Sequence, residues 1–212
     1  MQPKLSRGKK EWEISDFHTW SDRKNAKYTK HNIISKSSKV FSIGSCFAEY
    51  VNTYLNSKKI ESYHFPDTYH FNPLSIEDEL KNIFEKQEIK NSDLIESNGY
   101  FYNTSRKPSL KFNSSQHCIT YCNEIIKEAE TKLRNSDVLI ITLGGIETWK
   151  NLTNNKTCLT IPYPDLFNDK RDLFKFEILE YEQVKKSILS IINMVSKFFP
   201  KMTIIFTVSP NM

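Results

Sequence analysis

Lys39-Val40-Phe41-Ser42-Ile43-Gly44-Ser45-Cys46-Phe47-Ala48-Glu49 is the stretch on which the fold turns. Val40–Ile43 is short and mostly apolar, with small turn residues directly behind it, which predicts a buried strand. Helical spacing then sets in, with Phe47, Val51, Tyr54 and Leu55 expected on one face. A Ser or Cys between such a strand and helix stands at the carboxyl end of a sheet, where open α/β folds bind ligands. It also stands at a helix N-terminus, where free N–H groups and the helix dipole favour negative charge. That is a place for a nucleophile. The plainer reading, a Ser helix cap beside a structural Cys, stays open on spacing alone.

Outward from this turn, Ile60–Phe65 reads as a second strand and 67–73 as a loop rich in His, Tyr and Asn. Ser75-Ile76-Glu77-Asp78 is expected to open a helix, with Ser75 as its cap. Asn98-Gly99 marks a tight turn, with Tyr100–Asn103 and Leu110–Asn113 as an expected hairpin. A long helix is expected over Ser115–Arg134. Asp137–Leu143 contains Val-Leu-Ile-Ile-Thr-Leu without alternation, a strand buried on both faces and hence part of a parallel sheet. Glu147–Asn151 and Thr157–Ile161 read as an inserted hairpin, 162–176 as a loop, Leu179–Phe199 as a helix and Met202–Val208 as a strand. This order predicts an α/β fold, a three-layer α/β/α sandwich around a mostly parallel, doubly wound sheet, with small antiparallel excursions. Residues 1–38 read as a polar N-terminal arm, with Trp12 and Trp20 as its anchors, and 39–212 as the domain.

The chain has 212 residues, 30 Lys and Arg against 25 Asp and Glu, and an aromatic content of 13%. That suffices for one domain with a packed core. A net charge of +5 spread along the chain is not a clustered basic face, so no nucleic-acid partner is expected. No apolar run approaches the ~18 residues of a membrane span, and no secretory h-region precedes the domain, so a cytoplasmic setting without a membrane partner is expected. Of the four cysteines, at 46, 118, 122 and 158, the pair Cys118-x-x-x-Cys122 lacks a second pair or nearby His ligands. No metal site is expected. Neither Gly-x-Gly-x-x-Gly nor a P-loop occurs, and no cofactor is expected.

Gly44-Ser45-Cys46-Phe47-Ala48 resembles the motif of the GSCFA family, which is placed with the SGNH/GDSL-like hydrolases. The resemblance continues through Phe71-Asn72-Pro73-Leu74-Ser75-Ile76, Ile141-Thr142-Leu143-Gly144-Gly145-Ile146-Glu147-Thr148-Trp149 and Phe206-Thr207-Val208-Ser209-Pro210. It implies the same three-layer sandwich, SGNH-like or flavodoxin-like. It also implies an acyl-ester hydrolase or O-acyltransferase acting on a small-molecule or carbohydrate ester, with acylated polysaccharide as the leading substrate. A non-catalytic carbohydrate-binding or scaffolding domain that keeps the cleft is the alternative.

Laying Gly44-Ser45-Cys46 over the superfamily's Gly-Asp-Ser puts Cys46 on the nucleophile, a residue type whose thiolate is favoured at a helix N-terminus. Sliding by one puts Ser45 there and spoils the match at Gly44. Asn72 is a candidate oxyanion donor, or else an Asx turn ahead of Pro73. Gly144 and Gly145 allow close backbone approach to a ligand. Ile146 stands where the superfamily has an Asn donor. Glu147 and Trp149 match the family and are candidates for substrate positioning, Trp149 alternatively packing the hairpin. None of the five His lies in an Asp-x-x-His setting near the C-terminus. The resemblance implies a further strand, a helix and that segment beyond Pro210-Asn211-Met212, so a domain truncated at its C-terminus is expected. His70 is then the nearest substitute base.

Overall fold

A computed structural model describes residues 33–208. The polar arm, with Trp12 and Trp20, and the end of the chain from Ser209 lie outside the described residues, apart from 33–38. Four strands form a parallel sheet: β1 (Lys39–Gly44), β2 (Glu61–His64), β5 (Val138–Leu143) and β9 (Thr203–Val208), in the order β2-β1-β5-β9. All six residues of β5 are buried, as its unbroken apolar run predicts. Helix α1 (Cys46–Ser57) packs on one face, over Val40, Val138 and Ile140. Helices α2 (Pro73–Phe84), α3 (Ser115–Arg134) and α5 (Tyr181–Phe198) cover the other, over Phe41, Ile43, Leu139 and Ile141. The fold is the expected α/β/α arrangement around a parallel sheet.

Several local expectations are corrected. In α1 the buried residues are Ala48 and Leu55, with Val51 half-buried, so the spacing i, i+3, i+7 that faces the sheet starts at Ala48. Phe47, Tyr50 and Tyr54 carry the same spacing one position earlier and stand 51%, 72% and 61% exposed. The cap of α2 is Asn72, not Ser75: its side-chain oxygen accepts the Ser75 N–H at 3.0 Å, and Pro73 fills the first helical position, where a missing N–H costs nothing.

The Asn98-Gly99 turn joins β3 (Leu94–Ser97) to β4 (Tyr100–Asn103), and Leu110–Asn113 contributes only the bridge Phe101–Phe112. Both turn residues have positive φ, 52° and 77°, as a two-residue hairpin loop demands. The stretch 162–176, expected as loop, holds a short helix α4 (Pro164–Asp169) and the start of β8 (Phe174–Ile178). In β8, Phe174, Phe176 and Ile178 alternate with Lys175 and Glu177, the period of a half-covered strand. β8 pairs antiparallel with β6 (Glu147–Asn151), which also pairs with β7 (Lys156–Thr157). A buried, bidentate Arg106–Glu79 pair, 2.7 and 3.1 Å, ties the segment after β4 to α2.

Candidate functional site

β1 leads through α1 to β2 on one side of the sheet, while β5 lies on its other side. The crevice between the carboxyl ends of β1 and β5 is therefore the topological switch point, where open α/β sheets bind ligands. Gly44, Ser45 and Cys46 stand there. Gly44 has φ +136°, and a Cβ on it would lie 2.2 Å from the Thr142 carbonyl oxygen, so only glycine brings β1 this close to β5. The Ser45 N–H donates to that same carbonyl at 3.0 Å.

The two nucleophile candidates have different surroundings. The Ser45 hydroxyl caps α1, accepting the Phe47 N–H at 3.4 Å, and shares a hydrogen bond with the Thr142 hydroxyl at 3.0 Å. Its residue is only 4% exposed. Cys46 is the first residue of α1 and its thiol is exposed. Among the described residues its N–H has no hydrogen-bond acceptor, as expected for the first turn of a helix.

Across the crevice the loop 70–72 fastens the switch point together. The His70 N–H donates to the Gly44 carbonyl at 2.8 Å, and the Phe71 carbonyl accepts both the Gly144 and Gly145 N–H groups, at 2.7 and 2.8 Å. The Asn72 side-chain amide donates to the Glu147 carbonyl at 3.2 Å while its oxygen caps α2. A Cβ on Gly144 would lie 2.9 Å from the Phe71 ring and 3.4 Å from the Ser45 Cβ, whereas one on Gly145 would meet nothing within 4 Å. So Gly44, Ser45, Asn72, Gly144 and Glu147 are brought together. The donors of Asn72, Gly144 and Gly145 are occupied by protein carbonyls. Trp149 is turned away: its ring meets Phe167 edge-on at 5.2 Å and Phe176 at 5.2 Å, within the small core under β6 and β8.

His70 does not offer a base. Its side chain is buried, stacked on Phe65, and both ring nitrogens are without partners among the described residues. Burial, with Arg106 and His64 adding positive charge nearby, pushes its imidazole down to about 3, so it stays neutral and only weakly basic near pH 7. The other thiols are buried: Cys158 is pushed up to about 12 by desolvation, and Cys118 is pushed up by the neighbouring Cys122 thiol and by burial. Cys122 is held low by Cys118 and by Arg106, but it is enclosed in the core.

Four residues here escaped the sequence reading. Thr142 supplies both a carbonyl and a hydroxyl to Ser45. Glu49, one turn beyond Cys46, accepts the Tyr69 O–H at 2.6 Å, which holds the Tyr69 phenol above its usual range. His64, at the end of β2, has Nδ1 3.3 Å from the Ser42 carbonyl and is held below its ordinary value chiefly by burial. The i, i+3 spacing of Cys46 and Glu49 was available as a signal; the others depend on strand register. A chamber of about 20 Å³ beside Tyr102, Cys158 and Leu166 and a depression of about 480 Å³ by Ile95, Asp169 and Arg171 lie on the antiparallel excursions, away from this crevice.

Fold and site thus define an open parallel α/β protein whose switch-point crevice presents a thiol at a helix N-terminus. The GSCFA family model matches residues 39–211, and the chain belongs to that family. No curated protein and no solved structure matches the chain at a significant level. Among the described residues no helix is long and apolar enough to cross a membrane.

Proposed function

We propose that the chain is an acyl-ester hydrolase or O-acyltransferase of SGNH type, with Cys46 as nucleophile and acylated carbohydrate as its substrate class. The observation that carries this is the exposed Cys46 thiol at the first position of α1, in the β1–β5 crevice. The Cys46 sulfur would bond to the ester carbonyl carbon. The alcohol would leave with the thiol's proton, and water or a second alcohol would then take the acyl group from sulfur. The Cys46 N–H, which has no acceptor among the described residues, and the N-terminal dipole of α1 favour the oxyanion that forms on the way. Ser45, Gly44 and Thr142 hold the turn in shape. Gly144, Gly145, Asn72 and Glu147 fix the facing wall.

A specific observation favours a second reading, a carbohydrate-binding or scaffolding domain: the donors that would serve an oxyanion hole on that wall are already bonded to Phe71 and Glu147 carbonyls. Turnover of p-nitrophenyl esters by the purified chain, before and after brief iodoacetamide treatment, separates the two. Hydrolysis abolished by alkylation and absent in Cys46→Ala is the expected result. No turnover above the protein-free background leaves the binding domain.

A further inference from the structure

β8 ends its sheet. In the order β7-β6-β8 it pairs only with β6 among the described residues, so one of its long sides has no strand beside it. Which groups face that side follows from two bonds that bracket the pairing. The Leu152 N–H donates to the Leu173 carbonyl and the Leu179 N–H to the Ile146 carbonyl, each at 2.8 Å. An antiparallel ladder alternates, so Lys175 and Glu177, between these two bonds, turn their peptide groups toward β6. Those of Phe174, Phe176 and Ile178 point outward, without hydrogen-bond partners among the described residues.

The residues of this edge, Phe174-Lys175-Phe176-Glu177-Ile178, are complementary to their own reverse. When the strand is paired antiparallel with a second copy about a two-fold axis at Phe176, every position meets a suitable partner. Phe176 exchanges two hydrogen bonds with the partner's Phe176, and Phe174 does the same with the partner's Ile178. Lys175 falls directly opposite the partner's Glu177, at the non-hydrogen-bonded position where Cα atoms are only about 4.5 Å apart. Moving the axis by one residue sets Lys175 against the partner's Lys175, or Glu177 against the partner's Glu177. Like charges so placed are destabilising, so the charges select one register.

The aromatic face of the strand gains from the same pairing. Phe176 and Ile178 alternate as core residues would, yet they are 47% and 61% exposed. The Phe176 ring lies 5.2 Å from the Trp149 ring of the neighbouring strand, on the face that also carries Ile178. Across the axis the two Phe176 side chains become neighbours on that face, and each Ile178 stands beside the partner's Phe174. We infer that the outer edge of β8 is a dimer interface, filled by β8 of a second copy of this chain. The two copies then share one sheet, and the two-fold closes both β8 edges where a head-to-tail contact would polymerise.

A short edge pairing lies at the weak end of specific interfaces, so a micromolar rather than nanomolar dimer is expected. Sedimentation velocity on the full chain, from the low micromolar range upward, should find it as a concentration-dependent species. Lys175→Glu and Glu177→Lys each set like charges opposite one another on both sides of the axis, and each should weaken the dimer roughly tenfold. Mixing the two variants restores opposite charges at both places, so they should form a heterodimer about as tight as the parent dimer. The double variant should likewise pair with itself. Lys175 is exposed and Glu177 half-buried, so neither reversal disturbs the core. A parent that stays monomeric at every concentration overturns the inference. So does a dimer indifferent to both reversals, which would use another surface such as the outer edge of β9, and so does a weakening that mixing fails to repair.

Discussion

The two walls of the switch-point crevice are built on opposite terms. Among the described residues, the wall after β1 leaves a thiol and one N–H uncommitted, at Cys46. The wall made by 70–72 and 144–147 binds nearly every polar group it has into the protein: two N–H groups to Phe71, an amide to Glu147, an oxygen to Ser75. Sequence motifs flag both walls equally, since both carry the family's residues. Their hydrogen bonds separate a wall that can act on something from a wall that holds the shape. Substitutions on the two walls should therefore fail differently.

The largest difference is expected between two glycines. Gly44→Ala places a methyl 2.2 Å from the Thr142 carbonyl at φ +136°, and both strands at the crevice would have to shift. A loss of about 4 kcal/mol or more is expected, a fall in Tm of roughly 10 °C for a domain this size. Gly145→Ala meets open space and should stay within about 0.5 kcal/mol of the parent. Thermal melts of the two variants check this. Similar losses in both would mean that the facing wall is as tightly packed as the β1 turn.

Next is Asn72, which performs two structural tasks at once. Asn72→Ala removes the α2 cap, typically ~1 kcal/mol, and strips the Glu147 carbonyl of its donor, another ~1–2 kcal/mol. Asn72→Asp keeps the cap oxygen and loses only the donor, so urea unfolding should find it intermediate. An Asn72→Ala variant as stable as the parent, with lowered ester turnover, would show instead that the amide serves the substrate.

His70 adds a pH dependence of about 2 kcal/mol to the same wall. In the unfolded chain its imidazole takes a proton below about 6.5, whereas in the fold it stays neutral down to about 3. The unfolded state thus binds more protons in that interval, and stability is complete above pH 6.5 and declines as pH falls toward 3. At pH 5 the loss from this group is about 2 kcal/mol, since 1.5 pH units lie below the unfolded value at 1.36 kcal/mol each. His70→Phe keeps a flat ring against Phe65 and removes the titration. Denaturation at pH 7 and pH 5 should show a smaller acid loss in the variant, and equal losses would place the acid sensitivity elsewhere.

How far this site could be read from the chain follows from the range of the forces involved. Strands β1 and β5 were legible because short, largely apolar runs bounded by turn residues have few alternatives, and the convergence of Gly44, Ser45 and Gly144 follows from a parallel sheet. In α1 Val51 and Leu55 pack inward as expected, but Phe47 and Tyr54, which look like core, are exposed, and Ala48, which does not, is fully buried. β8 was missed because Pro162, Pro164 and three Asp ahead of it mask its alternation. The partners of Asn72 and the burial of His70 depend on contacts across 75 residues and on Arg106, and no local pattern encodes those.

On the wall after β1, in contrast to Gly44, the stability effects are small at the two residues that should matter most for chemistry. Ser45→Ala removes the α1 cap and the partner of the Thr142 hydroxyl, a loss of about 1 kcal/mol. Cys46→Ala changes an exposed side chain at the first helical position and should be within about 0.5 kcal/mol of the parent. Iodoacetamide labelling followed by mass mapping should find Cys46 modified first, because Cys118, Cys122 and Cys158 are each at or below 1% exposed. Cys122 is the strongest rival on charge, beside Arg106, and it becomes reachable only if the core opens. Adding mild urea discriminates: labelling of Cys122 should rise with denaturant while that of Cys46 stays constant. If Cys46→Ala retains ester turnover and Ser45→Ala abolishes it at unchanged fold, the roles reverse. The hydroxyl now shared with Thr142 would then be the nucleophile, and the exposed thiol a bystander at the mouth of the crevice.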